Sequence, residues 1–155
     1  GGALAPGGPF LVAKGEGRGR GELARADDGR VTLQVSVRAP AWIDVSIAEA
    51  WLDGKRVATR RAAAPAGAAV RLAWQTEIPV ERDGFLVVVV RGDRVLDRVL
   101  PGVGAKPFAF TNPIWVDGNA DGTFDAGLDA AADGGLDAAV SAPPDAALDA
   151  ASARD

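Results

Sequence analysis

Apolar residues in this chain recur at every second position between turn signals, and no stretch of ten or more residues carries the three-to-four spacing of a helix. A period of two sends alternate side chains to opposite sides of the backbone, as only an extended strand does. In "VTLQVSVR", Val31, Leu33, Val35 and Val37 face one way and Thr32, Gln34, Ser36 and Arg38 the other. "FLVVVV", Phe85 to Val90, has no alternation and is almost wholly β-branched, which predicts a central strand buried on both faces. Asp53-Gly54 between two extended runs predicts a type I′ hairpin, because both residues tolerate positive φ. Asp83-Gly84 predicts the turn that opens the Phe85 strand, and Pro79 places its own strand at an edge or a bulge. "RVLDRVLPG" and "FAFTNPIWV" read as further strands. The fold class that follows is all-β: an antiparallel, Ig-like β-sandwich of about 7–8 strands.

Around this core the chain divides into an N-terminal linker over 1–8, a sandwich domain over 9–125 and a low-complexity Ala/Asp tail over 126–155. "KGEGRGRGE" alternates glycine with charge but lacks the third glycine of a dinucleotide fingerprint, so it reads as a loop or hairpin between strands. In the tail, Leu-Asp-Ala-Ala recurs at Leu128, Leu136 and Leu148, and Asp recurs every four residues. Like charges at that spacing oppose a helix, and the segment reads as a solvated spacer.

Absent residue types narrow the chemistry. With no Cys and no His there is no disulfide framework, no thiolate or imidazole catalyst and no zinc site of the usual kind. Residues 117–155 hold nine Asp against Arg154, a balance of −8. Residues 1–116 hold the other 16 Lys and Arg against 12 Asp and Glu, a balance of +4, giving −4 in all. Fourteen of the 17 basic residues are Arg, which reads as codon usage, and no nucleic-acid partner is expected. No apolar run approaches 18 residues, so no membrane span is expected. The chain starts at Gly1 and has no Met, and it reads as a piece of a longer product.

Three groups of residues invite a functional reading. "WVDGNADGTFDAG" places Asp117, Asn119, Asp121, Thr123 and Asp125 at positions 1, 3, 5, 7 and 9 of a calcium loop, with Gly122 at position 6. Position 12 is Leu128, so the bidentate carboxylate is missing and any affinity is expected to be weak, on the order of 10⁻⁴–10⁻³ M. The bland alternative is a tight turn held by side-chain-to-backbone bonds. Trp42, Trp51, Trp74 and Trp115 are candidate glycan platforms, although tryptophans in a sandwich of this size are expected mainly as core anchors. Ala48, Ala50 and Leu52 share one strand face and Glu49 and Trp51 the other, which makes Trp51 a candidate for a domain interface. Glu77, Glu81, Asp44 and Asp53 form no recognisable catalytic pair, and no catalytic residue is assigned.

"GGPFLVA", "VTLQVSVRAPAWIDVSIAEAWLDGK" and "PFAFTNPIWVDGNADGTF", in that order, resemble the C-terminal β-rich region of CehA/McbA-type metallohydrolases of the PHP superfamily. The segment Thr111 to Asp117 carries most of the resemblance. It implies a small β-sandwich that follows a metal-binding α/β barrel. The His-rich metal ligands of that barrel have no counterpart here. The expectation is thus a non-catalytic accessory domain whose partner is the upstream barrel of the same parent protein. The competing expectation is a surface-exposed ligand-binding or adhesion module with a weak calcium-binding turn.

Overall fold

The computed structural model describes residues 8–17, 22–64 and 68–125, together with the backbone of Gly2–Ala3. The expected tail over 126–155, most of the expected linker over 1–8 and parts of the two Gly-rich connectors lie outside the described residues. Ten strands form two sheets, and no helix among the described residues is long and apolar enough to cross a membrane.

The first sheet is built on β4 (Arg30–Arg38), which alternates as its sequence demands and buries Val31, Leu33, Val35 and Val37. It pairs antiparallel with β2 (Phe10–Gly15) on one side and with β7 (Val70–Pro79) on the other. β1 (Gly2–Ala3) extends the sheet beyond β2, and β7 forms the opposite edge, where Pro79 is tolerated. The second sheet is built on β8 (Gly84–Arg91), flanked by β5 (Ile47–Leu52), with β6 (Lys55–Arg61) beyond it. The Asp53-Gly54 turn between β5 and β6 has positive φ at both residues, 48° and 79°, as a type I′ turn requires.

The other flank of β8 is one strand broken in two, β9 (Phe108–Phe110) and β10 (Ile114–Asp117). Phe110 pairs with Val89 and Ile114 with Leu86, so three residues oppose two, and Pro113 has no N–H to give the ladder. Buried Thr111 closes the gap: its N–H donates to the Val88 carbonyl (2.9 Å), and its hydroxyl accepts the Val88 N–H (3.0 Å).

One pairing departs from the antiparallel expectation. β3 (Leu23–Arg25) runs parallel to β10, and the chain passes from β2 in the first sheet to β3 in the second. The Gly-rich segment between them therefore joins the two sheets and is not a hairpin. "RVLDRVLPG" is also not a strand. The N–H groups of Val99 and Leu100 both donate to the Leu96 carbonyl, leaving Leu96 buried and Val95, Val99 and Leu100 exposed.

The sheets enclose one core, with Leu11, Leu33, Leu72 and Ile78 from the first and Leu86, Val88, Val90, Ile114 and Val116 from the second. Burying each such side chain stabilises the fold by about 1.5–3 kcal/mol. The inner face of the second sheet is narrow-shouldered, with Ala24, Ala48, Ala50 and Ala109 fully or almost fully buried. Of the four tryptophans, expected mainly as core anchors, Trp42 and Trp74 pack partly buried against this core, while Trp51 and Trp115 stand on the outer face of the second sheet. β8 also departs from its predicted two-sided burial. Leu86, Val88 and Val90 are buried, but Phe85, Val87 and Val89 on the outer face are only half-buried.

The register defines two ends. The lower end gathers Asp53, Asp83 and the turn after Asp117; the upper end gathers Arg38, Arg61, Arg91 and the connector over 39–46.

Candidate functional site

At the lower end, β10 delivers Asp117 to a turn that folds back over it, leaving it 0% exposed. Asp117 Oδ1 accepts the N–H of Asp121 (3.2 Å), and Oδ2 accepts the N–H of Gly122 (2.7 Å). Asn119 Oδ1 also accepts the Asp121 N–H (3.1 Å). Asp121 Oδ1 in turn accepts the N–H and hydroxyl of Thr123 (2.8 and 2.7 Å). Gly122 makes the bend at φ 90°, where an L side chain is strained. Arg25 supplies the counter-charge, its Nε 3.8 Å from Asp117 Oδ2 and its guanidinium donating to the Ala120 carbonyl.

The structure thus knits Asp117, Asn119, Asp121 and Thr123 into one turn, while Asp125 stands at its edge, 3.4 Å from the Thr123 hydroxyl. The member that sequence reading missed is Asp83. Its Oδ1 accepts the Gly118 N–H (2.8 Å) and its Oδ2 the Asp125 N–H (2.7 Å), stapling the loop before β8 to both ends of the turn. An Asp-Gly pair signals a turn, but it carries no record of which distant N–H its carboxylate meets. Both oxygens of Asp117 and of Asp83 are occupied by the chain's own N–H groups. No three acidic side chains converge on one point among the described residues.

Two carboxylates are held below their ordinary pKa of 3.8. For exposed Asp121 the causes are the Thr123 hydroxyl, the Thr123 N–H and the Asn119 amide, with a small contribution from Arg25. For Asp44, at the upper end, burial pushes upward. The N–H groups of Asp93 and Arg94, the Ser46 hydroxyl and the Arg94 charge together outweigh it. A lowered folded pKa means that the unfolded chain binds the proton more readily. The stability from these groups is therefore complete above about pH 4 and is lost as pH falls through the lower folded values. Asp44→Asn is expected to flatten the part of the urea midpoint's fall below about pH 4 that Asp44 supplies. An undiminished slope in that variant would assign the fall to other groups.

Beside the turn lies an apolar surface, the outer face of the second sheet. Trp115, 39% exposed, packs edge-on against Phe124 (centroids 4.8 Å apart) and Phe85 (6.1 Å). Val87, Val89 and Trp51 continue the face across β8 and β5, and Phe110 (52% exposed) and Phe108 stand at the split strand. In its middle Glu49 is only 3% exposed, held by Arg56 from β6 and Arg91 from β8 at 2.8 Å each. Glu49 and Trp51 share this outer face, as their alternation predicts, and the Trp51 Nε1 is buried without an acceptor. The first sheet's outer face carries exposed Lys14, Gln34, Gln75 and Glu77, with Phe10 (39% exposed) and half-buried Val12 beside them on β2.

The candidate carboxylates are placed apart and have other partners. Asp44 caps the loop after β8, Asp53 Oδ1 accepts the Phe85 N–H (2.9 Å), and Glu77 lies 3.6 Å from Arg30. Exposed Glu81 sits in the loop after β7.

Fold and site together define a two-sheet, all-β domain with a sealed acidic turn beside an unequally apolar pair of faces. No family model matches the chain, and no curated protein or solved structure matches it either.

Proposed function

We propose that this chain is a non-catalytic accessory β-sandwich that docks, through the outer face of its second sheet, on the catalytic barrel of a PHP-type parent polypeptide. The observation that supports this reading best is the contrast between the two outer faces. The first is mainly polar, with Phe10 and Val12 at the upper part of β2, while the second combines Trp115, Phe110, Phe108, Val87 and Val89 around a nearly buried glutamate. Holding Glu49 between two guanidiniums lets the face be covered without leaving its carboxylate unpaired. The β-branched run of β8 has the composition of a strand covered on both sides, and a docked neighbour supplies the second side. The resemblance of Thr111–Asp117 to the CehA/McbA segment names the neighbour. We also take the strand order as Ig-like, with β2 and β3 as successive segments shared between the sheets.

The test has two parts. The reading frame upstream of the Gly1 codon is expected to encode a His-, Asp- and Glu-rich α/β barrel, and that barrel, produced separately, to bind this chain. Phe110→Ser with Phe108→Ser is expected to weaken binding about 10–100-fold while leaving the chain's own stability within about 0.5 kcal/mol. A frame without such a barrel, undiminished binding, or self-association of the chain alone would each overturn the reading.

A second reading is favoured by the turn: Gly122 makes its bend at the sixth position of a calcium loop, as that loop requires. On this reading the chain is a surface-exposed ligand-binding module stiffened by weak calcium binding.

A further inference from the structure

At the upper end, far from the acidic turn, three arginines meet on a cleft of about 320 Å³ between the connector over 39–46, the end of β6 and the start of β7. Arg61, Arg71 and Arg94 line it with Asp44 and Ser46. The ion pairs among the described residues involve none of these three guanidiniums, so each lacks a carboxylate within 4.0 Å.

Arg71 is the unusual one. The register between β4 and β7 slips by one residue, pairing Val37 with Leu72 and Arg38 with Val70, so Arg71 is the extra residue of a β-bulge. A bulge turns two successive side chains toward the same side. Arg71 and Leu72 are accordingly both buried where strict alternation would expose one, and Arg71 is only 6% exposed. Its Nη2 donates to the Pro40 carbonyl (2.7 Å), but its buried Nε has no acceptor. Arginine does not escape burial by losing its proton, so this is a cation taken out of water with one backbone oxygen for company.

The one carboxylate in the cleft does not neutralise it. Asp44 Oδ2 is occupied by the Ser46 hydroxyl and by the N–H groups of Asp93 and Arg94. Three Arg against one Asp leave an excess of two positive charges facing the opening. Guanidinium forks match oxyanions in pairs of parallel hydrogen bonds, and a cleft of this volume lies at the small end of ligand pockets. The geometry points to an anion site for a small phosphomonoester, with Arg71 as the inner anchor and exposed Arg61 and Arg94 as the rim. It lies at the other end of the sandwich from the acidic turn, and it does not depend on the docking proposal.

Calorimetric unfolding of the chain tests this, in inorganic phosphate, glycerol 3-phosphate or acetate, each against sodium chloride at matched ionic strength. Both phosphates are expected to raise the midpoint by roughly 4 °C or more at saturation, with acetate matching chloride. Arg71→Met is expected to lose the response without lowering the midpoint in chloride, because it removes an uncompensated buried charge. Arg94→Gln, an exposed change that leaves the fold intact, is expected to weaken phosphate about 10-fold. Equal midpoints in all four salts, an equal response to acetate, or a response retained in both variants would overturn the site. A response to inorganic phosphate without one to glycerol 3-phosphate would overturn the ester and leave a free oxyanion.

Discussion

Gly118→Ala is expected to cost about 3 kcal/mol and to lower the thermal midpoint by roughly 10 °C, a large loss for a single methyl group. A Cβ on Gly118 would stand 2.8 Å from Arg82 Cα and closer still to the Arg82 carbonyl carbon and oxygen. These are backbone atoms of a loop with no rotamer to change. Gly118 also has little freedom to retreat, because its own N–H is bonded to Asp83 Oδ1. Its φ is not among the positive ones, so the cost is steric rather than conformational. Gly84→Ala is the control: there a Cβ meets the Asp53 carboxylate oxygens at 2.6 and 2.7 Å, the movable end of a side chain. That variant is expected to lose about the worth of the Asp53–Phe85 hydrogen bond, near 1 kcal/mol. Urea unfolding of both variants decides the matter. Equal losses, or a Gly118→Ala protein as stable as the parent, would mean that the acidic turn does not close onto the β7–β8 loop as tightly as it stands here.

What period-two alternation could report, it reported well. The two faces of β4, the type I′ turn at Asp53-Gly54, the edge position of Pro79 and the shared face of Glu49 and Trp51 all follow from neighbours along the chain. Alternation is local, however, and several features depend on pairings made across long separations. The crossing from β2 to β3 depends on β10, more than ninety residues later, which offers β3 a parallel edge. The burial of Arg71 depends on a one-residue slip against β4, and a bulge leaves no mark in "AVRLAW" itself. Asp83 matters because Gly118 and Asp125 come to it, 35 and 42 residues away. In "RVLDRVLPG", hydrophobic composition was read as extension, although glycines with φ of 76° and 68° at Gly102 and Gly104 suit a winding connector better. Half of the acidic turn was legible for the same local reason, since Asn119, Asp121 and Thr123 bond to residues within two positions of themselves.

Asp117→Ala is expected to be comparably damaging, at about 2–4 kcal/mol. It leaves the Gly122 N–H without its acceptor, while the Asp121 N–H keeps Asn119 Oδ1, and it opens a void where the fully buried Asp117 side chain stood. It also strips Arg25 of its counter-charge, but that guanidinium is half exposed and the pair adds little. Asp117→Asn keeps one acceptor oxygen and turns an amide donor toward the other N–H, so roughly half the loss is expected there. Calcium separates the two roles this carboxylate could have. As a seal, Asp117 has both oxygens occupied, and about 5 mM calcium is expected to leave the parent's midpoint where a chelator leaves it. As the first ligand of a weak site, it would exchange those N–H bonds for metal. The fold would then gain roughly 1–2 kcal/mol, several degrees in midpoint, and would lose that gain in Asp121→Ala. The second outcome would move the weight to the ligand-binding module. The first, with the large metal-free cost of Asp117→Ala, would make the turn a closure of the sandwich's lower end that keeps Trp115 and Phe124 in place on the docking face.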